Sequence, residues 1–292
     1  MNVLTFDIEE WYIEKTFYGE RSEYYKQYDH YLGEILDLLD ECHLSATFFC
    51  VGQLGVQFPD VVKRIAERGH DVGCHSNVHT WLNKMNYKEV LEDTRLAVDA
   101  LEQCIGQKIT SYRAPAFSIG KSNAWAFEVL AECGIERDAS VFPAVRDFGG
   151  FAEFGHQSPS LIEYNGSKIK EFPTCITKVL GKETAYSGGG YFRFFPLWFV
   201  NSRMKGNDYN MCYFHIGDLI PECGGVMTKA EYEEYFKEPG TWKNRHLRFL
   251  KSNIGKSGAF QKMASLLRST EFVSLAQALE MINWETVPKV LL

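Results

Sequence analysis

The strongest constraint on this chain is a repeated alternation of short apolar runs with amphipathic stretches. Strand-like runs stand at residues 3–6, 46–51, 70–74, 109–112, 135–138, 168–172 and 211–214. Between several of them, apolar residues recur at three- and four-residue intervals. Residues 31–41 carry Leu32, Ile35, Leu36, Leu38 and Leu39, residues 59–68 carry Val61, Val62 and Ile65, and residues 87–104 carry Val90, Leu91, Leu96, Val98 and Leu101. A further stretch, 123–133, opens after Ser122, a residue type that caps helix starts, and closes at Gly134. Strand, helix and strand in succession require a crossover, which makes neighbouring strands parallel. The expected class is α/β, with a mostly parallel sheet, open or closed into a barrel. Internal repeats and low-complexity tracts are absent from the sequence.

Composition narrows the classes further. Hydrophobic residues make up 45% and charged residues 24%, which is globular rather than disordered. The 31 basic and 38 acidic residues leave a net charge of −7, which disfavours nucleic acid as a partner. No apolar run approaches the roughly 20 residues of a membrane span. The opening MNVLTFDIEEWY lacks the basic start and apolar core of a secretory signal, so the expected location is cytoplasmic. The eight cysteines, at 42, 50, 74, 104, 133, 175, 212 and 223, form no CxxC pair and read as reduced. Two segments break the alternation and are expected to be irregular. One is 10–30, rich in aromatics (Trp11, Tyr12, Phe17, Tyr18, Tyr24, Tyr25, Tyr28), and the other is 145–167, with Gly149, Gly150, Gly155 and Gly166. Loops of that length inside a domain usually bind or cover a ligand, although the aromatics serve equally well as caps on the core.

The polar residues fall where parallel α/β proteins keep their chemistry, at strand ends. Asp7 follows the first run, His75 the third, Arg113 the fourth and His215 the seventh, while Asp138 closes the fifth. Asp7 and Glu9 share a face if the strand continues, and two acids on one wall divide labour between metal ligand and base. His75 and His79, four apart, share a face if they lie on a helical turn. With a carboxylate from another strand they make a two-histidine, one-carboxylate metal set with an open position. HSNVH lacks the glutamate of HExxH peptidases. His43, His70, His156 and His246 read as ordinary surface or hydrogen-bonded residues, and His30 as a residue at a helix start. A dinucleotide fingerprint, a phosphate loop and a GxSxG elbow are all missing.

These segments together resemble the polysaccharide deacetylase family (NodB-like, carbohydrate esterase family 4). The resemblance rests on Thr5-Phe6-Asp7, on Ala46-Thr47-Phe48-Phe49 with Val51-Gly52, and on Gly69-His70-Asp71-Val72-Gly73 leading into His75-Ser76-Asn77-Val78-His79. It continues through Arg113-Ala114-Pro115-Ala116-Phe117 and Phe214-His215. Gly188-Gly189-Gly190-Tyr191-Phe192-Arg193 further resembles a subgroup associated with exported-polysaccharide gene clusters. The resemblance implies a distorted (β/α) barrel of about seven parallel strands. It implies one domain over 1–292, with an extension from about 196 elaborating the barrel. It also implies hydrolysis of an N-acetyl group on an amino sugar, giving amine and acetate. Asp7 would be the base, and Glu9, His75 and His79 would hold a divalent metal. Zn²⁺ is expected, with Co, Mn, Ni or Fe as alternatives. Arg113 would orient Asp7, and His215 would protonate the leaving amine with Asp138 orienting it. A backbone N–H near Ala116 would hold the oxyanion, and Phe117, Tyr191, Arg193 and Trp11 would grip the glycan. Ile8 stands where the family usually has a ligand aspartate, and Ile-Gly-Asp follows His215 where the subgroup usually has Pro-Trp-Glu. Two other readings compete: a related barrel amidohydrolase acting on a small non-sugar amide, metal-free or not, and an inactive glycan-binding protein.

The charge is unevenly distributed. Residues 237–268 carry +7, which leaves −14 on the rest. The segment reads as a solvated helix face or, more sharply, as a peripheral contact with anionic lipid or a phosphate-linked glycan carrier.

Overall fold

The computed structural model describes residues 1–146, 149–221, 225–236 and 238–292. Of the residues singled out above, Cys223 and Lys237 lie outside the described ones. The strands are β1 (Asn2–Ile8), β2 (Thr47–Cys50), β3 (Asp71–Cys74), β4 (Ser111–Tyr112), β5 (Arg137–Asp138), β6 (Ser160–Tyr164), β7 (Ser167–Glu171), β8 (Ile176–Val179), β9 (Lys182–Ala185), β10 (Asn210–His215) and β11 (Lys289–Leu291). Among the described residues, nine of them form one sheet in the order β10-β1-β2-β3-β4-β5-β7-β6-β11. From β10 to β7 every neighbour is parallel, so the seven runs marked by the sequence are the seven parallel strands. The result is an α/β fold built on a mostly parallel sheet. Val3, Leu4, Phe6 and Ile8 of β1 are fully buried, as a strand covered on both faces requires. Among the described residues, strand pairing does not close the ring between β7 and β10. Side chains span that gap instead, with Tyr209 Oη donating to Pro173 O at 3.0 Å and Cys175 Sγ to Tyr209 O at 3.5 Å.

The helices follow the apolar spacing. Ser22–Glu41 buries Leu32, Ile35, Leu36 and Leu39. Tyr87–Ile105 starts with Asn86 and Glu89 capping each other and ends at Gly106 in the left-handed region. Ser122 is not a cap: it lies in a 3₁₀ turn, Lys121–Asn123, and the next helix is Ala126–Glu132.

Both segments expected to be irregular contain regular structure. Residues 10–30 fold as a short helix, Glu10–Ile13, a π turn, Glu14–Tyr18, and the start of the helix Ser22–Glu41. The buried Glu14 carboxylate accepts from Arg21 Nε and, at 3.0 Å, from Tyr28 Oη, which ties the π turn to that helix. Aromatic and polar residues hold these turns, so the usual aliphatic stripe is missing. Within 145–167, β6 pairs antiparallel with β7 through the two-residue loop Asn165-Gly166. Both loop residues have positive φ (46° and 84°), the condition for a type I′ hairpin.

Residues 237–268 form parts of two helices, Trp242–Asn253 and Ala259–Ser269. Several of their cations hold the fold together. Arg268 makes a forked pair with Glu41 at 3.0 and 3.1 Å. Lys262 Nζ donates to the Phe192 and Phe195 carbonyls, and Arg245 donates to Met227 O at 3.0 Å. Among the described residues no helix is long and apolar enough to cross a membrane.

Candidate active site

The ends of β1, β3, β4 and β10 bring Asp7, Glu9, His75, Arg113 and His215 together. Asp7 sits opposite His215 in the β1–β10 ladder and opposite Phe49 in β2. Arg113 is fully buried at the exit of β4. Its Nη1 donates to Asp7 Oδ1 and to Thr5 Oγ1, each at 2.8 Å, and its Nε donates to Ala139 O at 3.2 Å. The guanidinium lies 4.4 Å over the Phe49 ring. Gly73 on β3 lets that ring lie flat, because a Cβ there would stand 2.6 Å from it. With Oδ1 held by Arg113, Asp7 Oδ2 faces His215 Nε2 at 3.7 Å.

Glu9 shares this pocket for a different reason from the one expected. β1 ends at Ile8, and Glu9 (φ −136°, ψ −20°) caps the next helix rather than continuing the strand. Ile8 is fully buried in the core. Glu9 Oε2 lies 2.6 Å from His79 Nε2 and 3.5 Å from His75 Nε2. Burial works against the Glu9 charge, but the neighbouring His79, His215 and His75 outweigh it and hold the carboxyl well below its ordinary range. His75 and His79 do not lie on a helical turn. They flank a loop in which Ser76 and His79 take positive φ (59° and 57°). His75 Nδ1 lies 2.7 Å from Arg113 O, so Nδ1 carries the proton and Nε2 presents its lone pair.

Two imidazole nitrogens and one carboxylate oxygen all lie within 4.8 Å of one another. Glu9 Oε2 is buried without a hydrogen-bond donor in acceptable geometry. A set of two N donors and one O donor aimed at a shared point fits a tetrahedral divalent ion with one position open.

On the opposite wall, the carboxylate at His215 is Asp218, not Asp138. His215 Nδ1 lies 3.1 Å from Asp218 Oδ2, and Asp218 Oδ1 lies 3.1 Å from Arg193 Nε. Burial resists a charge on His215, but Glu9, Asp218 and Asp7 overcome it and lift its pKa well above the usual histidine value. Asp138 turns elsewhere: it accepts from Ser140 Oγ at 2.6 Å and Ser140 N at 3.0 Å, and stands cross-strand from Glu171. Desolvation, then repulsion from Asp138, raises Glu171 well above the carboxylate range, so the pair shares a proton beneath Arg113.

The residues expected to grip a glycan fare differently. Trp11 is 1% exposed and meets Tyr28 edge-on at 5.4 Å, which leaves it no free face. Phe117 is buried against Phe142 and Tyr213. Arg193 is buried too and is committed to Asp218 and the Ser252 carbonyl. Tyr191 is partly exposed on the helix Gly189–Phe194. Ala116 takes a left-handed conformation (φ 55°, ψ 19°) inside a 3₁₀ turn, Pro115–Phe117. Across that turn Phe117 N donates to Ala114 O at 3.0 Å and Ser118 N to Pro115 O at 3.1 Å.

The family model described as polysaccharide deacetylase matches residues 3–137, and one described as a domain of unknown function (DUF3473) matches 139–280. Residues 3–137 are a polysaccharide deacetylase domain. A peptidoglycan-N-acetylglucosamine deacetylase of Bacillus cereus is 34% identical over 96 residues, 32% of this chain and 35% of that protein. A chitooligosaccharide deacetylase of Rhizobium leguminosarum bv. trifolii is 36% identical over 89 residues, 29% of this chain and 41% of that protein. The chain thus spans well under half the length of these relatives. Among solved structures, a Mycobacterium smegmatis protein provisionally assigned as a polysaccharide deacetylase matches with a TM-score of 0.64 at 17% identity, covering 100% of this chain and 93% of the other. A 4-alpha-glucanotransferase from Thermococcus litoralis matches at 0.58 and 12% identity, covering 100% of this chain and 41% of that one. The last two likenesses concern the fold alone.

Three acids at the site escaped the sequence reading. Asp93 lies on the buried stripe of the helix Tyr87–Ile105, where an acid between Val90 and Ala97 was the available signal. Its carboxylate accepts from the Asn77 N–H at 2.9 Å and from Val78 N–H, anchoring the loop between the two histidines. Burial pushes its pKa up to about 6 despite those bonds. Glu10 Oε1 accepts from Gly217 N at 2.6 Å and so ties the end of β1 to the turn after β10. Burial and the neighbouring Glu9 push Glu10 up to about 7. Asp218 was visible only as the acid three residues after His215.

Proposed function

We propose that this chain is a metal-dependent N-deacetylase that hydrolyses the acetamide of an amino-sugar-containing glycan to amine and acetate. One observation carries the reading. A three-donor set (Glu9, His75, His79) stands beside an arginine-held carboxylate (Asp7) and a carboxylate-held histidine (His215). The catalytic unit then spans both matched segments, because His215, Asp218 and Arg193 belong to the second. The residues act in sequence. Asp7, oriented by Arg113, removes a proton from the attacking water through Oδ2. The new C–O bond converts the amide carbon to a tetrahedral centre, and the Ala116 N–H donates to its oxyanion. His215, kept protonated by Asp218, gives its proton to the sugar nitrogen as the C–N bond breaks. A Zn²⁺ ion held by Glu9, His75 and His79 would supply Lewis acidity, which brings the pKa of water from 15.7 toward about 7. The peptidoglycan N-acetylglucosamine and the chitooligosaccharide in the relatives' names suggest the substrate class.

The test is acetate release from N-acetylated chitooligosaccharides and peptidoglycan fragments, before and after chelation. Activity should vanish with chelator and return with Zn²⁺ or another divalent ion. No acetate from either substrate under Zn, Co, Mn, Ni or Fe supplementation would overturn the reading.

A further inference from the structure

Arg248 and Lys251 meet Arg146, far away in sequence, at a cleft of about 490 Å³ beside the catalytic face. The volume is in the range of small-ligand sites. Its lining also includes the apolar side chains of Tyr191, Phe194 and Ile254, with Phe194 66% exposed. No carboxylate lines it among the described residues, although the chain as a whole carries −7. Arg146 lies 5.1 Å over Phe117 and 4.6 Å over Phe142. Its Nη1 is buried with no hydrogen-bond acceptor among the described residues. A buried guanidinium nitrogen without an acceptor is costly unless a ligand supplies one.

The cleft connects to the catalytic machinery at two points. Phe117 follows Ala116 directly. The helix Gly189–Phe194, which supplies Tyr191 and Phe194, also supplies the Arg193 that holds Asp218. A ligand spanning cleft and catalytic face would thus touch one sugar on each side of the same wall. Apolar residues suit the C–H face of a sugar ring, and clustered cations suit an oxyanion attached to it.

We propose that this cleft binds an anionic substituent, a carboxylate or a phosphate, on a sugar neighbouring the one that is deacetylated. The substrate is then an acidic glycan. The inference rests on the deacetylase reading for the position of the second sugar, but binding tests it independently. Three N-acetylated oligosaccharide probes separate the sources: one neutral, one bearing a uronate carboxylate and one bearing a sugar phosphate. Binding of each is measured by calorimetry on the full chain at low and high salt, alongside acetate release. The expected result is that one acidic probe binds about tenfold tighter than the neutral one, with the preference shrinking in salt. The preferred probe identifies the substituent. In R146Q the ratio of acidic to neutral affinity should fall to about one. K251Q, on an exposed helix position, should reduce the same ratio and serves if R146Q fails to fold. Equal wild-type affinity for all three probes, or a preference that survives both substitutions, overturns the proposal. An acidic preference in binding without acetate release from any probe would overturn the deacetylase reading and keep the cleft.

Discussion

Asp218→Asn is the most informative single change. It keeps the side chain's shape and removes one charge. In the native site Asp218 Oδ2 stands 3.1 Å from His215 Nδ1, and Oδ1 stands 3.1 Å from Arg193 Nε. At that separation a unit charge pair is worth about 1.3 kcal/mol in water and about 5 kcal/mol at an effective permittivity of 20. The His215 side chain is 30% exposed, so the lower part of that span applies, near the 1.5–3 kcal/mol typical of a hydrogen bond to a charged group. Losing it from the step in which His215 protonates the amine should lower kcat by about 10- to 150-fold. The KM should change little, since Asp218 contacts no substrate. The sign of the pH effect follows from the site. Asp218 is among the groups that raise the His215 pKa, so removing its charge lowers that pKa. His215 must be protonated to act, so the high-pH arm of the kcat profile should move to lower pH. Metal content should stay the same, because Asp218 is not among the three donors. The assay is steady-state acetate release from an N-acetylated chitooligosaccharide across pH, with metal analysis of the same sample. A kcat within about twofold of wild type, or an unmoved high-pH arm, would refute the assignment of His215 as acid and Asp218 as its positioning partner.

Four further outcomes follow from the geometry. His79→Ala removes one of three donors and should abolish stoichiometric zinc retention after dialysis, read by metal analysis. Asp93→Ala strands the Asn77 and Val78 N–H groups and should weaken zinc binding by about 10- to 100-fold through loss of loop order, measured by competition with a chelator. Glu171→Gln tests the buried carboxyl pair. A folded-state pKa raised above the unfolded one means that the stability contribution is complete at low pH and is lost as pH rises through the folded value. Wild-type melting temperature should therefore fall relative to the glutamine variant from about pH 5 upward, and parallel curves would refute proton sharing. Gly188→Ala would place a Cβ 2.2 Å from the Tyr213 ring and should cost about 1–3 kcal/mol in denaturant unfolding.

The parallel strands were most legible where the run is mainly apolar, as at 3–6, 46–51 and 211–214, the mark of strands buried on both faces. The catalytic face was legible for a related reason. Once strand ends are known, Asp7, His75, Arg113 and His215 must gather on one side. What stayed hidden depended on side chains meeting across the fold. Asp138 stands at a strand end like the others, but its neighbour in the β5–β7 pairing is Glu171, so it turns to share a proton there. Glu9 reaches the metal set because β1 stops and a helix begins, not because an extended strand continues. The π turn at Glu14–Tyr18 depends on a carboxylate buried between Arg21 and Tyr28, a pairing with no local periodicity. One miss was avoidable: Asn165-Gly166 is among the strongest two-residue hairpin signals, and it joins β6 to β7.

The order of the sheet has a consequence for dissecting the chain. The boundary between the two matched segments falls beside β5, yet β1 lies between β2 of the first segment and β10 of the second. A cut at that boundary would unzip the ladder at two seams at once, exposing the outer edge of β1 and the free edge of β5. Each piece would carry an unpaired parallel edge, and neither would hold both the three-donor set and its proton donor. Mixing the two fragments, with acetate release as the readout, would then test whether the seams re-form.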